Sequence, residues 1–338
     1  AWRFGLPLDE VQALLPHAEA ALAWMRDDGD PNGDGFIEYV APEGRGLVNQ
    51  GWKDSVDGVR FADGRIAQPP IALAEVQAYA HDAALRGAEL LAALGRPGAD
   101  DWRAWAAALQ RRFREHFWVE DARGPYPAMA LDGDGRPVDA PASNIGHLLV
   151  GELLDQEEQG QVAARLADPS LSSGWGLRTL ADTAVGFNPL GYHTGSVWPH
   201  DTAIAVWGLA RTGHARAAGE LVRGLLRAAP HYGYRLPELL GGLARTPGGY
   251  PVPYPVACRP QAWAAGAGPL LVRSLLGLDV HVPAGRVSVR PLRPLPVAWL
   301  HVDGLRVGPG HLHVHVDGDE VEVELEGIDL EVDVRRPA

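Results

Sequence analysis

The sequence predicts an all-α fold, a ring of helical hairpins followed by a small C-terminal antiparallel β-unit. Three observations carry this. Residues 8–278 show apolar residues at helical spacing, interrupted by long Gly/Pro-rich loops. Four segments, opening near residues 69, 143, 195 and 259, start polar or aromatic and then turn small and apolar. They alternate with charged, amphipathic segments, a weak self-similarity at a period of roughly 50–70 residues that suits stacked hairpins. After Leu278 the apolar period changes to two.

The helices follow in order. "LDEVQALLPHAEAALAWMRD" (8–27) carries acids in its first turn. "PPIALAEVQAYAHDAALRGAELLAALG" (69–95) opens on proline and ends on glycine, the expected helix punctuation. Helices are then expected over 100–118, 143–154, 157–167, 195–213, 214–230 and 259–278. The small-residue helices should be inner and buried all round, the charged ones outer. The strands "VHV", "RVSV", "HLHVHV", "EVEVELE" and "LEVDV" should turn at Gly285, Gly310, Gly318 and Gly327. The expected domains are therefore 1–278, helical, and 279–338, a β appendage. About eight or nine helices fall short of the twelve that six hairpins need, and the chain opens on Ala1. The expectation is a partial barrel lacking an N-terminal portion.

A net charge of −13 argues against nucleic acid or a membrane surface as partner and leaves neutral polyhydroxylated substrates open. No run of about 18 apolar residues suggests a membrane span. A single cysteine, Cys258, precludes an internal disulfide, and cytoplasm is the default location. Eleven tryptophans, mostly near Gly, Pro and His, suit the C–H faces of sugars, although large aromatics also serve as core filler.

Chemistry is expected in four loops: "DGDPNGDGFIEY" (28–39), "NQGWKDSVD" (49–57), "YHTGSVWPHD" (192–201) and "YRLPELLGG" (234–242). Lys53 is the only lysine in the chain and sits between Trp52 and Asp54. A compact ammonium is expected there beside Asp54, where a planar guanidinium would not serve. Inversion at a glycosidic carbon needs one carboxylic acid and one carboxylate on opposite sides of the sugar. Asp54 and Glu238 both lie outside helix interiors, beside aromatics or proline. Asp28, Asp30, Asn32 and Asp34 imitate the start of a calcium loop, but Tyr39 stands where the bidentate glutamate belongs, so no metal and no cofactor are expected. His311, His313 and His315 share a strand face and are expected opposite the acidic "EVEVELE". Cys258 is expected to be core.

"NQGWKDS", "PIALAEVQAYAHDA", "SGWGLRTL", "GYHTGSVWPHDTAIAVWGLARTG", "RLPEL" and "YPVACRPQAWAAGA" together resemble the amylo-alpha-1,6-glucosidase-like proteins, the glucosidase half of glycogen debranching enzymes, over about residues 20–280. The resemblance implies a six-hairpin (α/α)6 barrel and an inverting mechanism on glycogen or limit-dextrin oligosaccharides. It implies Asp54 as general acid, from the W-x-D loop, and Glu238 as general base, from the P-E-L loop. With Asp54 in that role, an adjacent ammonium would depress a carboxyl that must hold a proton, so Lys53 is expected to point away from it toward Asp57 or the 28–38 loop, and burial against Trp52 and nearby carboxylates should favour the protonated acid. The residues expected to hold the sugar are Glu38, Trp52, Lys53, Glu75, Gln77, His193, Trp198, His200, Asp201 and Gln261. Other readings stay open: a hydrolase of a small α-glycoside of trehalose or mannosylglycerate type, a non-catalytic carbohydrate-binding fragment, and a sugar epimerase or lyase working through His or Tyr.

Overall fold

The computed structural model describes residues 1–40 and 46–334. Among the described residues seven α-helices dominate: α1 (Leu8–Asp27), α2 (Ala74–Ala93), α3 (Ala99–His116), α4 (Gln156–Ala167), α5 (Pro199–Arg211), α6 (Ala215–Ala228) and α7 (Ala262–Leu276). A further helix, Ser143–Leu149, is 3₁₀ and wholly buried. The inner layer runs α2, the 3₁₀ helix, α5, α7, each packed on the next. The outer layer sets α1 and α3 on α2, α4 on the 3₁₀ helix, and α6 on α5. Inner α2, the 3₁₀ helix and α5 are each followed by the outer helix packed on them, α3, α4 and α6, so the chain forms three inner–outer hairpins, with α1 packed on α2 and α7 on α5.

The residue types explain the layering. Inner α2 buries Ala74, Ala78, Ala80, Ala84 and Ala88, and inner α5 buries Ala203, Ala205 and Gly208, so neighbouring backbones approach closely. A Cβ on Gly208 would lie 2.5 Å from that of Leu149. Outer α4 opens on a capping box, with Asp155 accepting from the Glu158 N–H and the Glu158 side chain accepting from the Asp155 N–H. The main core joins Leu109, Phe113 and Phe117 to Ile145, Leu148, Val206 and Leu225.

The fold is not purely α up to residue 278. Strand β1 (Ala72–Leu73) pairs antiparallel with β4 (Ala130–Leu131), and β2 (Trp118–Asp121) with β3 (Gly124–Pro127). Helix α2 consequently starts at Ala74 rather than at the proline pair, because residues 71–73 are drawn into extended pairing with Tyr39 and β4. Beyond α7 come β5 (Asp279–His281), β6 (Arg286–Val289), β7 (Trp299–Val307), β8 (Gly310–Asp317), β9 (Glu320–Glu326) and β10 (Glu331–Val334). They form two three-stranded sheets, β10-β6-β5 and β7-β8-β9. β10 runs parallel to β6, which corrects the expectation of a wholly antiparallel unit. Strand β7 escaped the sequence pattern because a register shift between Val302 and Leu305 breaks its alternation. The turn before β8 uses Gly308, with φ 56°, while Gly310 is already in the strand. His311, His313 and His315 lie across from Glu326, Glu324 and Glu322. Residues 335–338 of the expected appendage fall outside the described residues. No helix is long and apolar enough to cross a membrane among the described residues.

Candidate active site

Loops at one end of the inner helices are knitted by isolated antiparallel bridges: Arg178 with Val197, Val197 with Leu240, Leu240 with Pro253. Their approach requires glycine. A Cβ on Gly242 would stand 1.7 Å from the Gly195 carbonyl oxygen, and Gly195 itself has φ +151°. The Thr179 hydroxyl accepts from the Gly195 N–H (2.9 Å) and donates to the Ser196 carbonyl (3.1 Å). Trp198 Nε1 donates to the Tyr192 carbonyl (2.9 Å) and to the Ser196 hydroxyl (3.1 Å), closing the loop before α5 begins on Pro199.

Trp52 is central to an aromatic cluster in this region. His147 stacks on it (centroids 6.1 Å apart, 16° between planes), while His193, Trp198 and His200 meet it edge-on. Lys53 is fully buried; its Nζ donates to the Thr179 carbonyl at 2.6 Å and lies 5.2 Å from the centre of the Trp52 ring. Burial lowers its amine to about 8, with Asp201 and Glu75 opposing. The expected partners of Lys53 are therefore corrected: Asp57 pairs with Arg60 (3.3 Å). Burial and positive neighbours also hold His193 neutral, down to about 3, and burial holds His200 down to about 4.

Below Trp52 a cavity of about 420 Å³ opens between α2, α5 and α7, lined by Trp52, Glu75, Tyr79, His147, His200 and Trp263 among others. Its wall carries a directed relay. Burial, with Glu75 and Asp201 nearby, raises the Tyr79 hydroxyl well above its ordinary value, so it remains a donor. It donates to His147 Nδ1 at 2.5 Å, which leaves Nε2–H to donate to Asp201 Oδ1 at 2.9 Å. Burial works to raise Asp201, but the His147 hydrogen bond and the Lys53 ammonium hold it below the usual carboxylate range. Glu75 goes the other way, raised by burial. Asn144 Nδ2 donates to its Oε2 at 2.6 Å, while its buried Oε1 accepts nothing. Tyr79 leaves its lone pairs, and Glu75 an oxygen, for donor groups entering the cavity.

Asp54 and Glu238 belong to the loop rim and do not line this cavity. The Asp54 side chain is 49% exposed, so the expected burial against Trp52 is absent; its Oδ1 lies 3.9 Å from His193 Nδ1. Glu238 is buried: Tyr192 Oη donates to Oε1 at 2.6 Å and the Cys258 N–H to Oε2 at 3.0 Å. The rings of Tyr192 and His193 are 4.6 Å apart, so adjacent residues of one loop touch the two carboxylates.

The other expected sugar contacts divide. Trp52, Glu75 and His200 line the cavity. His193 and Trp198 are buried against Trp52, and buried Asp201 accepts from His147. Gln77 is a strut, with donors spent on the carbonyls of Ile37 (2.7 Å) and Leu73 (3.0 Å) and its oxygen on the Ile37 N–H (2.9 Å). Gln261 caps α7 by accepting from the Ala264 N–H. Glu38 belongs to the 28–38 turn, where Asn32 Nδ2 donates to it (3.1 Å); burial, with Asp34 and Asp30 beside it, pushes it up to about 7. In that turn Asp30 accepts the N–H groups of Gly33, Asp34 and Gly35. Cys258 is exposed rather than core, because its segment runs over Glu238 instead of entering α7.

Sequence reasoning missed His147, Asn144, Tyr192 and Trp263. The first two had a readable signal. Ser143, Asn144 and His147 interrupt an apolar run that is buried on every side, and buried polar groups need partners.

An arc of inner and outer helical hairpins with carboxylates, imidazoles and indoles at its loop end defines a six-hairpin glycosidase type of domain. Solved structures share the fold. The GH78 family rhamnosidase of Bacillus sp. GL1 superposes with a TM-score of 0.62 at 18% identity, over 96% of this chain and 30% of that one. The GH63 mannosylglycerate hydrolase from Thermus thermophilus gives 0.55 in complex with glucose (19% identity) and 0.56 in complex with Tris (18%), over 78% of this chain and 68% and 70% of those. The chain thus spans less than a third of the rhamnosidase it matches. No curated protein matches the sequence. The model of the mannosylglycerate hydrolase MGH1-like glycoside hydrolase domain matches residues 7–235, and the chain belongs to that family. Asp54 lies inside the matched span and Glu238 just beyond it.

Proposed function

We propose that this chain carries the catalytic machinery of an inverting α-glycosidase acting on a small α-glycoside of the mannosylglycerate type, with Asp54 as general acid and Glu238 as general base. The observation that supports this most is the joining of the two carboxylates by one loop, Tyr192 to Glu238 (2.6 Å) and His193 to Asp54 (3.9 Å). Glu238 accepts two strong donors, which suits an ionised base that must orient a water. Neutral His193 puts no imidazolium beside Asp54. A bound glycoside covers Asp54 and supplies the low-dielectric surroundings that a general acid near neutral pH needs. The cavity under Trp52 takes the pyranose ring: indole and imidazole faces meet its C–H groups, and Glu75 Oε1 and Tyr79 Oη accept from its hydroxyls.

The test follows the released sugar by NMR with the intact protein and mannosylglycerate, isomaltose, panose or limit dextrin. Mannosylglycerate should release the β-anomer of mannose first. Release of the α-anomer first, or full activity in Glu238→Gln, sinks the assignment. Preferential hydrolysis of panose and limit dextrin would move the substrate to the debranching class instead.

A further inference from the structure

We propose that the groove between α4, the start of α6 and the arm leading into β7 binds a polyanionic small molecule, one bearing two or more phosphate- or carboxylate-type oxyanions. The groove measures about 780 Å³, within the range of small-molecule sites, and shares no residue with the cavity under Trp52.

Four arginines line it: Arg216, Arg227, Arg245 and Arg293. None forms an ion pair among the described residues. The single acid on the wall, Glu220, is held by Arg223 at 2.8 Å. Elsewhere the arginines find carboxylates readily, as Arg26, Arg96, Arg114, Arg136 and Arg165 do. In a chain of net charge −13, four guanidiniums line one groove whose lining includes one acid, Glu220, which feels the charges of Arg227 and Arg216 as well as Arg223.

Arg293 adds an independent indication. Its Nη1 donates to the Gly318 carbonyl, which fixes the guanidinium. Its Nε and Nη2 are buried and have no acceptor. These two donors form the edge that turns away from Nη1, and it is the edge that grips an oxyanion side-on. Arg136 uses it on Asp132 (3.0 and 2.7 Å), and Arg114 uses it on Glu158 (2.6 and 2.9 Å). Buried donors left unmade are costly, and a fork of this shape matches phosphate or carboxylate. Other lining residues, Gly160, Ala163 and Ala164, are small, and Gly160 faces open space. The groove lies on the outer layer, so the inference does not depend on the proposed glycosidase reaction.

Calorimetric titration at low salt tests it, with pyrophosphate, inorganic phosphate and trigalacturonate as separate probes. One polyanion should bind saturably at one site per chain, more tightly than inorganic phosphate, and weaken as salt rises. Arg293→Met and Arg216→Glu should each weaken it by roughly tenfold or more. Tight pyrophosphate binding identifies the phosphate type, and tight trigalacturonate binding the carboxylate type. If Arg293→Met loosens the β8–β9 turn, Arg216→Glu, on the first turn of α6, decides alone. No saturable binding of any probe at millimolar concentration, or unchanged binding in a folded Arg216→Glu protein, overturns the site.

Discussion

Lys53 and Tyr192 show how single residues set the electrostatics of the rim. At position 53, which holds the only lysine, a compact ammonium fits beside Trp52 against one carbonyl, where a guanidinium would need several acceptors. Its amine falls from 10.5 unfolded to about 8 folded, so the unfolded chain binds more protons between those values. Stability from Lys53 is therefore fully present above 10.5 and lost as pH falls through 8. Relative to Lys53→Met, the wild type should gain on the order of 3 kcal/mol from about pH 8 to about 10.5. Urea denaturation of both proteins across that window checks it, and parallel curves would contradict it. Tyr192 donates to Glu238, the proposed general base, at 2.6 Å. Tyr192→Phe should lower kcat by roughly 10- to 100-fold, the worth of a hydrogen bond to a charged group. KM and the melting temperature should change little.

At the scale of elements, the site depends on loops pressed together rather than on the helices that carry them. Gly242 and Gly195 let two loops touch where any side chain would collide with backbone. Gly242→Ala should destabilise the protein by about 2 kcal/mol or more and remove activity together with it, since backbone cannot yield as a flexible side chain does. Asp155→Ala is the matching control. It removes the α4 capping box, far from the rim, and should cost about 1 kcal/mol while leaving kcat unchanged. Thermal melts and steady-state rates on both variants separate the two effects.

Over the whole molecule, the α7 end and the β-unit share a core. Leu276 and Leu278 pack with Val280, Val287, Val314 and Val316, and the N–H groups of Arg290 and Leu292 donate to the carbonyls of Leu276 and Leu275. The first residues join them, since the Gly308 N–H donates to the Phe4 carbonyl and Trp2 meets His281 edge-on. Calorimetry should accordingly record one cooperative unfolding transition. Two separated transitions would mean that the shared core does not couple the units.

The sequence by itself determined the alternation of inner and outer helices, because burial on all sides demands small apolar residues and one-sided burial demands an amphipathic stripe. It also determined the histidine–glutamate ladder of β8 and β9, since a period of two leaves no other face for those side chains. Trp52, Glu75 and His200 were legible as candidates because aromatic and charged residues at loop ends have few structural reasons to be there. Partner choice was decided only in the tertiary structure. Gln77 and Gln261 look like sugar ligands in one dimension, yet their amides are taken up by nearby backbone. His147 looks like part of an ordinary helix, yet it joins Tyr79 to Asp201 across 54 residues of sequence on one side and 68 on the other. Hydrogen bonds and burial depend on which distant segments fold against a residue, and local periodicity carries no record of that.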